Sequence, residues 1–110
     1  MANSIFTYIW EYRVKDEHLD AFEHTYGPDG EWVKLFREGV GYLKTELHKN
    51  TEDPNHFVTV DYWTSKEARD KFKASFKKQF DAIDKLCESF TEWEKSIGDF
   101  YCFEKNSRVL

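Results

Sequence analysis

Prolines, cysteines and glycines are scarce in this chain (2, 2 and 5 of its 110 residues), and each shortage excludes something. Pro28 and Pro54 both sit in turn-forming strings, so there is no proline-rich linker, and no repeat or low-complexity segment appears either. The two cysteines, Cys87 and Cys102, lack ligand spacing and lie far apart in apolar periodic segments. They are expected to be buried free thiols in a reducing cytosol, which places the protein in the cytoplasm and argues against a disulfide or a metal site. No apolar run approaches the ~20 residues that cross a bilayer. The N-terminus lacks the basic and apolar regions of a signal peptide. Positive charge is short as well: 16 Lys and Arg against 21 Asp and Glu leave a net charge of −5, with no basic stripe for nucleic acid. Lys71, Lys73, Lys77 and Lys78 cluster, but Asp70, Asp81 and Asp84 share their segment, which reads as a solvated helix face. No glycine-rich phosphate loop, no nucleophile beside a base and no cofactor motif is present, so no cofactor is expected.

What the chain has is aromatic residues, 18% of the total, within 34% charged residues. That combination predicts a thin, aromatic-filled core under a well-solvated surface, in one domain spanning 1–110.

Ile5–Val14 reads as a strand. Phe6, Tyr8, Trp10, Tyr12 and Val14 fall on one face, and Ile5, Thr7, Ile9, Glu11 and Arg13 on the other. Asp16 is a candidate N-cap for a helix carrying Leu19, Phe22 and Tyr26, which Gly27-Pro28-Asp29-Gly30 breaks. A second helical piece begins near Glu31 with Trp32, Leu35 and Phe36, and Gly39 is its expected left-handed C-cap. Tyr42–Lys49 alternates, with Leu43, Thr45 and Leu47 against Tyr42, Lys44, Glu46 and His48, and should lie at or near a sheet edge. The turn string Asn50–Asn55 makes a hairpin with the strand Phe57–Trp63.

Ser65 starts a long amphipathic pattern through Phe72, Phe76, Phe80, Ile83, Cys87 and Phe90. One straight helix over that span would be ~39 Å long, too long for a domain of this size, so a break is expected near Lys77–Asp81. Thr91-Glu92-Trp93-Glu94 matches a capping box and predicts a short helical turn. Gly98 should then turn the chain into a last strand, Asp99–Glu104.

The resulting order, β-α-β-β-α-β, is the ferredoxin-like split βαβ arrangement, an α+β fold with a four-stranded antiparallel sheet. Short right-handed connections insert Phe57–Trp63 between the first two strands and place the last strand beyond the first. Both helices then cover one face. The other face stays partly apolar, so a homodimer packed sheet to sheet is expected.

Several strings resemble the antibiotic biosynthesis monooxygenase-like family: Tyr8-Ile9-Trp10-Glu11-Tyr12, Tyr26-Gly27-Pro28-Asp29-Gly30-Glu31-Trp32 with Leu35-Phe36, Gly41–Leu47, Asp61-Tyr62-Trp63-Thr64-Ser65, Cys87-Glu88 and Ile97-Gly98. The resemblance runs from about Ile5 to Phe103 and implies a dimeric α+β barrel. It also implies a cofactor-independent monooxygenase acting on a small aromatic or enolic metabolite, whose own anion reacts with oxygen. The alternative is a non-catalytic dimer of the same fold that binds a small molecule or serves as a scaffold. Haem-degrading members pair a Trp with an Asn on the first strand and a His on the second long helix. Here Trp63 is present, but Ile5–Val14 has no Asn and Ser65–Phe90 no His.

The candidate catalytic residues are Trp63 and Asp61, with Trp10, Glu11 and Tyr42 as candidate substrate-binding residues. Trp63 either lines a pocket between sheet and helices or caps the core. A carboxylate such as Asp61 inside a central strand needs a partner or a pocket. Arg13 or a Tyr hydroxyl is the expected partner, and burial would make Asp61 a general base for a phenolic or enolic proton. Glu11 and Arg13 are expected to pair with Asp61 across strands or with a second subunit. His48 and His56 flank the hairpin turn and are expected to face each other across it without binding metal. His18 and His24 have no assigned role.

Overall fold

Alternation on the first strand dictates the layering of the molecule. The computed structural model describes residues 3–104 and the side chains of 4–103; Asn106–Leu110, which follows the last expected strand and reads from the sequence as a loose tail, lies outside the described residues. Strand β1 spans Asn3–Val14, β2 Tyr42–Lys49, β3 His56–Trp63 and β4 Thr91–Glu104. All pairings are antiparallel, in the order β2-β3-β1-β4, which puts β3 and β1 at the centre. β1 begins two residues earlier than expected and so takes in Asn3 as its first residue.

Helices α1 (Leu19–Tyr26), α2 (Glu31–Phe36), α3 (Lys66–Ser75) and α4 (Lys77–Cys87) pack on one sheet face. The residues Phe6, Tyr8, Tyr12 and Val14 of β1, with Phe57 and Trp63 of β3, are buried beneath them. Aromatic rings carry the contact: Phe22 stacks on Tyr26 at 4.1 Å, and Tyr12 meets both edge-on at 5.2 Å. Ser65 caps α3 as expected, its hydroxyl accepting from the Ala68 N–H at 3.0 Å. The break between α3 and α4 falls at Phe76 (φ −114°, ψ 25°), one residue before the expected window. Phe76 still stacks on Phe72 at 5.3 Å, so the bend keeps the apolar stripe on the sheet.

Four local expectations are overturned. Asp16 does not cap a helix: it opens a 3-10 turn (Asp16–His18), and its carboxylate accepts from Asn55 across the hairpin base at 2.7 Å. The left-handed glycine after α2 is Gly41 (φ 96°), because Gly39 is hemmed in by the Trp63 and Phe72 rings and holds no positive φ. A register shift between Tyr42 and Lys44 turns Tyr42 to the helix side with Thr45 and Leu47, and leaves Leu43 at the irregularity, 46% exposed.

The fourth is the largest. Thr91–Glu94 is not a helical turn but the start of β4, running on through Gly98 to Glu104. A capping box contributes about 1 kcal/mol. The competing ladder pairs Thr91 with Val14, Trp93 with Arg13 and Glu94 with Tyr12, and it outweighs the cap. Gly98 (φ 142°) lies within that strand, where the register shifts between Ile9 and Trp10.

Two pairings also differ. His48 stands opposite Val58 and bonds Glu46 at 3.0 Å, while His56 bonds Glu11 at 2.6 Å, so the two histidines do not face each other. Arg13 pairs with Asp53 on the outer face and does not reach Asp61. No group of three His, Cys, Asp or Glu side chains suited to a metal occurs among the described residues. Cys87 and Cys102 are both free, Cys87 buried and Cys102 half-buried. No helix is long and apolar enough to cross a membrane among the described residues.

Candidate active site

One row of side chains crosses all four strands on the helix side. Register places Asp99 beside Tyr8, Tyr8 beside Asp61, and Asp61 beside Thr45. Asp99 belongs to this row because of the irregularity at Gly98. Without the extra residue, strict alternation from Glu94 and Ser96 would turn Asp99 outward, whereas a bulge re-aims the side chains beyond it. The next row holds Ser96, Trp10 and Thr59. Between these rows and α2, α3 and α4 lies a cavity of about 330 Å³, at the small end of ligand sites. Its walls include Trp10, Tyr12, Trp32, Phe36 and Phe80, with the polar groups of Asp61, Arg69, Thr45 and Thr59. Toward solvent, Lys73, Asp84, Glu94 and Asp99 also line it.

Asp61 is 5% exposed. Burial pushes its carboxyl up to about 7, although the Thr45 hydroxyl, the Arg69 guanidinium and the Tyr8 hydroxyl all favour its ionised form. Thr45 donates to Asp61, and Tyr42 O–H lies 2.8 Å from the Thr45 hydroxyl. Since Thr45 has a single proton and gives it to Asp61, Tyr42 donates to Thr45, forming a Tyr42–Thr45–Asp61 relay. Burial likewise holds the Tyr8 phenol well above its ordinary value, with the Asp61 charge adding to the effect. At the outer end, partial burial raises both Asp84 and Glu94, each further lifted by neighbouring carboxylates, Asp84 acting on Glu94.

Arg69, from α3, is buried and lies 4.6 Å over the Tyr8 ring and 5.0 Å over Phe6. Its Nε donates to Asp70 at 3.0 Å, and a terminal nitrogen lies 3.5 Å from Asp99. Nothing in the local sequence marks it: Arg69 sits in a charged helix string, Lys66–Lys71, and only the α3–sheet packing turns it inward. Asp99 is hidden for a related reason: in sequence Gly98 reads as a turn and not as an irregularity inside a strand.

The residues expected to form a site are thus divided. Asp61 and Trp10 line the cavity. Trp63 does not: it is fully buried one inner-face step beyond Asp61, packed against Phe36, Tyr42 and Phe72, and its indole N–H finds no acceptor among the described residues. Of its two expected positions it takes that of a core residue, because Gly39 lets the helix side close over it. Tyr42 also stays outside the cavity and reaches Asp61 only through Thr45. Glu11 is on the opposite face of the sheet, held by His56 and Lys95, because odd-numbered residues of β1 point away from the helices.

In overall shape, SnoaB, a cofactor-independent oxygenase from Streptomyces nogalater, is similar: 16% identity, 97% of this chain and 100% of that one covered, TM-score 0.66. A protein from Shewanella oneidensis (13% identity, 94% and 96% covered, TM-score 0.68) and a conserved protein from Methanosarcina mazei (15%, 94% and 95%, TM-score 0.66) are comparable. Identities this low show a shared fold and nothing more. No curated protein matches the chain in sequence. The family model described as antibiotic biosynthesis monooxygenase matches residues 5–95, nearly the whole of the sheet-and-helix unit that encloses the cavity. The chain belongs to the antibiotic biosynthesis monooxygenase family.

Proposed function

We propose that the protein is a cofactor-independent monooxygenase of a small aromatic or enolic metabolite, with Asp61 as the general base. One observation carries the reading: a buried carboxyl poised at about 7 opens into a cavity otherwise walled by aromatic rings. A base is most effective with a pKa near the working pH, and burial is what brings an aspartate there. Asp61 takes a proton from the enolic or phenolic form of the substrate. The substrate anion passes an electron to dioxygen, and the pair recombines into a carbon–oxygen bond. The peroxide anion takes that proton back from Asp61, and the hydroperoxide so formed then loses the second hydrogen of that carbon to Asp61 as a proton and its outer oxygen as hydroxide. A CH₂ group and O₂ thus become C=O and water, with Asp61 returning its proton to the departing hydroxide. Trp10, Trp32 and Phe80 supply flat walls for the ring, and the Tyr42–Thr45 relay orients the base.

We also infer a homodimer formed through the bare sheet face. Trp93, Ile97 and Phe100 are exposed there beside half-buried Ile5, Ile9, Val58 and Val60, and an apolar face of this kind marks an interface. The two free thiols fit a reducing cytosol.

Oxygen uptake by the pure protein with phenols, quinols and anthrones tests the catalytic reading. Turnover that falls about 10²–10⁴-fold in Asp61→Asn is the expected result. Uptake no greater than in buffer across all three classes would overturn it.

A further inference from the structure

Arg69 and Asp61 line the same cavity, yet the ion pairs of Arg69 are with Asp70 and Asp99. The guanidinium lies over the Tyr8 ring at 4.6 Å, and Tyr8 stands between two aspartates in one row across the sheet, Asp99 on β4 and Asp61 on β3. Neighbouring strands are ~4.8 Å apart, so the strands that carry the two aspartates are about 10 Å apart with the guanidinium above the strand between them. It goes to Asp99, at 3.5 Å, while its Nε donates to Asp70 at 3.0 Å. Asp61 takes its hydrogen bond from Thr45 instead. Hydration explains the choice. The Asp99 side chain keeps 45% of its surface in water, so a pair formed there stays solvated. Asp61 is 5% exposed, and a pair formed there would have to give up its water.

Resting on the role proposed above for Asp61, we propose that Asp99 is a positioning residue of this site: it draws the Arg69 guanidinium away from Asp61 and so leaves the base free to accept a proton. A direct Asp61–Arg69 pair would hold the carboxyl in its charged form and make it a weaker base, because an opposite charge within about 4–6 Å favours ionisation. Asp99 owes its place to one residue. Gly98, at φ 142°, sits at the irregularity that turns Asp99 to the helix side. The other charges around the cavity do not stand in for Asp99. On α3, Lys66 donates to Asp70 at 2.7 Å and Lys73 lies over the Phe80 ring at 4.9 Å. Asp84 of α4 and Glu94 of β4 line the outer part of the cavity, and neither is an ion-pair partner of Arg69. Tyr8 and Tyr12 from β1 and Tyr42 from β2 face Asp61 as neutral phenols, since burial raises each.

Carbon NMR of protein labelled at its aspartate carboxyls follows the Asp61 titration directly, and oxygen uptake with phenols gives the pH profile. Asp99→Asn should move the Asp61 titration and the acid limb of uptake to lower pH together, by about one unit, a tenfold change in proton affinity. Asp99→Glu, which keeps the charge, should return most of that shift. Glu94→Gln removes a carboxyl from the same lining without touching Arg69, and should move Asp61 clearly less than Asp99→Asn does. In an Arg69→Gln background, Asp99→Asn should leave Asp61 where it is, because Asp99 acts through the guanidinium. Should that background fail to fold, the contrast between Asp99→Asn and Glu94→Gln decides, and Asp99 is exposed enough for its variants to fold. An Asp61 titration unmoved by Asp99→Asn, or moved as far by Glu94→Gln, overturns the inference. Uptake by the wild type with Asp61 unmoved in Asp99→Asn would defeat this inference and spare the function; the expected shift with no uptake of oxygen on any phenol would do the reverse.

Discussion

Thr45 donates its hydroxyl proton to the buried Asp61 carboxyl across the β2–β3 ladder. That bond stabilises the ionised carboxyl, yet burial outweighs it and keeps Asp61 near 7. The folded protein thus contains a carboxyl whose charge works against its own stability.

Stability should therefore fall with rising pH in a defined window. The folded-state pKa of Asp61 is above its unfolded value of 3.8, so the native state holds a proton that the unfolded chain has lost. The contribution is fully present below about 4 and is lost progressively up to about 7, amounting to a few kcal/mol at about 1.4 kcal/mol per pKa unit. Urea titrations across that range should show the decline in wild type and its flattening in Asp61→Asn. The variant should be the more stable protein at about pH 8. Equal slopes for the two proteins would contradict the buried, raised carboxyl.

Gly39 should not tolerate a side chain. A Cβ there would lie 2.8 Å from the Phe72 ring and 2.9 Å from Trp63. Both rings are buried and wedged by Phe36, so neither can yield cheaply. Gly39→Ala should lower stability by roughly 1–3 kcal/mol, the usual range for overpacking, seen as a drop in melting temperature. An unchanged melting temperature would mean that the Trp63 end of the core is loosely packed.

The bare sheet face makes assembly measurable. Light scattering should return about twice the 13.2 kDa chain mass at micromolar concentration. Ile97→Glu with Phe100→Glu should shift the protein to a monomer, since both side chains are exposed on that face (46% and 44%). A monomeric wild type would leave the apolar outer face without the proposed partner.

Much of the architecture was legible from period alone. Five aromatic and aliphatic residues alternating along β1, the Asn50–Asn55 turn and the phenylalanines spaced by four identify strands, hairpin and helices, because burial of one face imposes the period. Connection rules then order the sheet. The sequence also singled out Asp61, since a carboxyl inside a run of strand formers is costly unless it has a use.

Tertiary structure decided the rest, where local signals competed with distant partners. Thr91–Glu94 has a helix-start pattern, but β1 offers it a full ladder, and non-local hydrogen bonds outweighed the local cap. Whether Trp63 faces a cavity or a core depended on Gly39 and Phe72, 24 residues before it and nine after. Arg69 and Asp99 are ordinary surface letters in their own segments. They meet beside Asp61 only because α3 docks on the sheet and the irregularity at Gly98 turns Asp99 inward. Period determines which residues are buried; which buried residues become neighbours is a property of packing, and there the site was made.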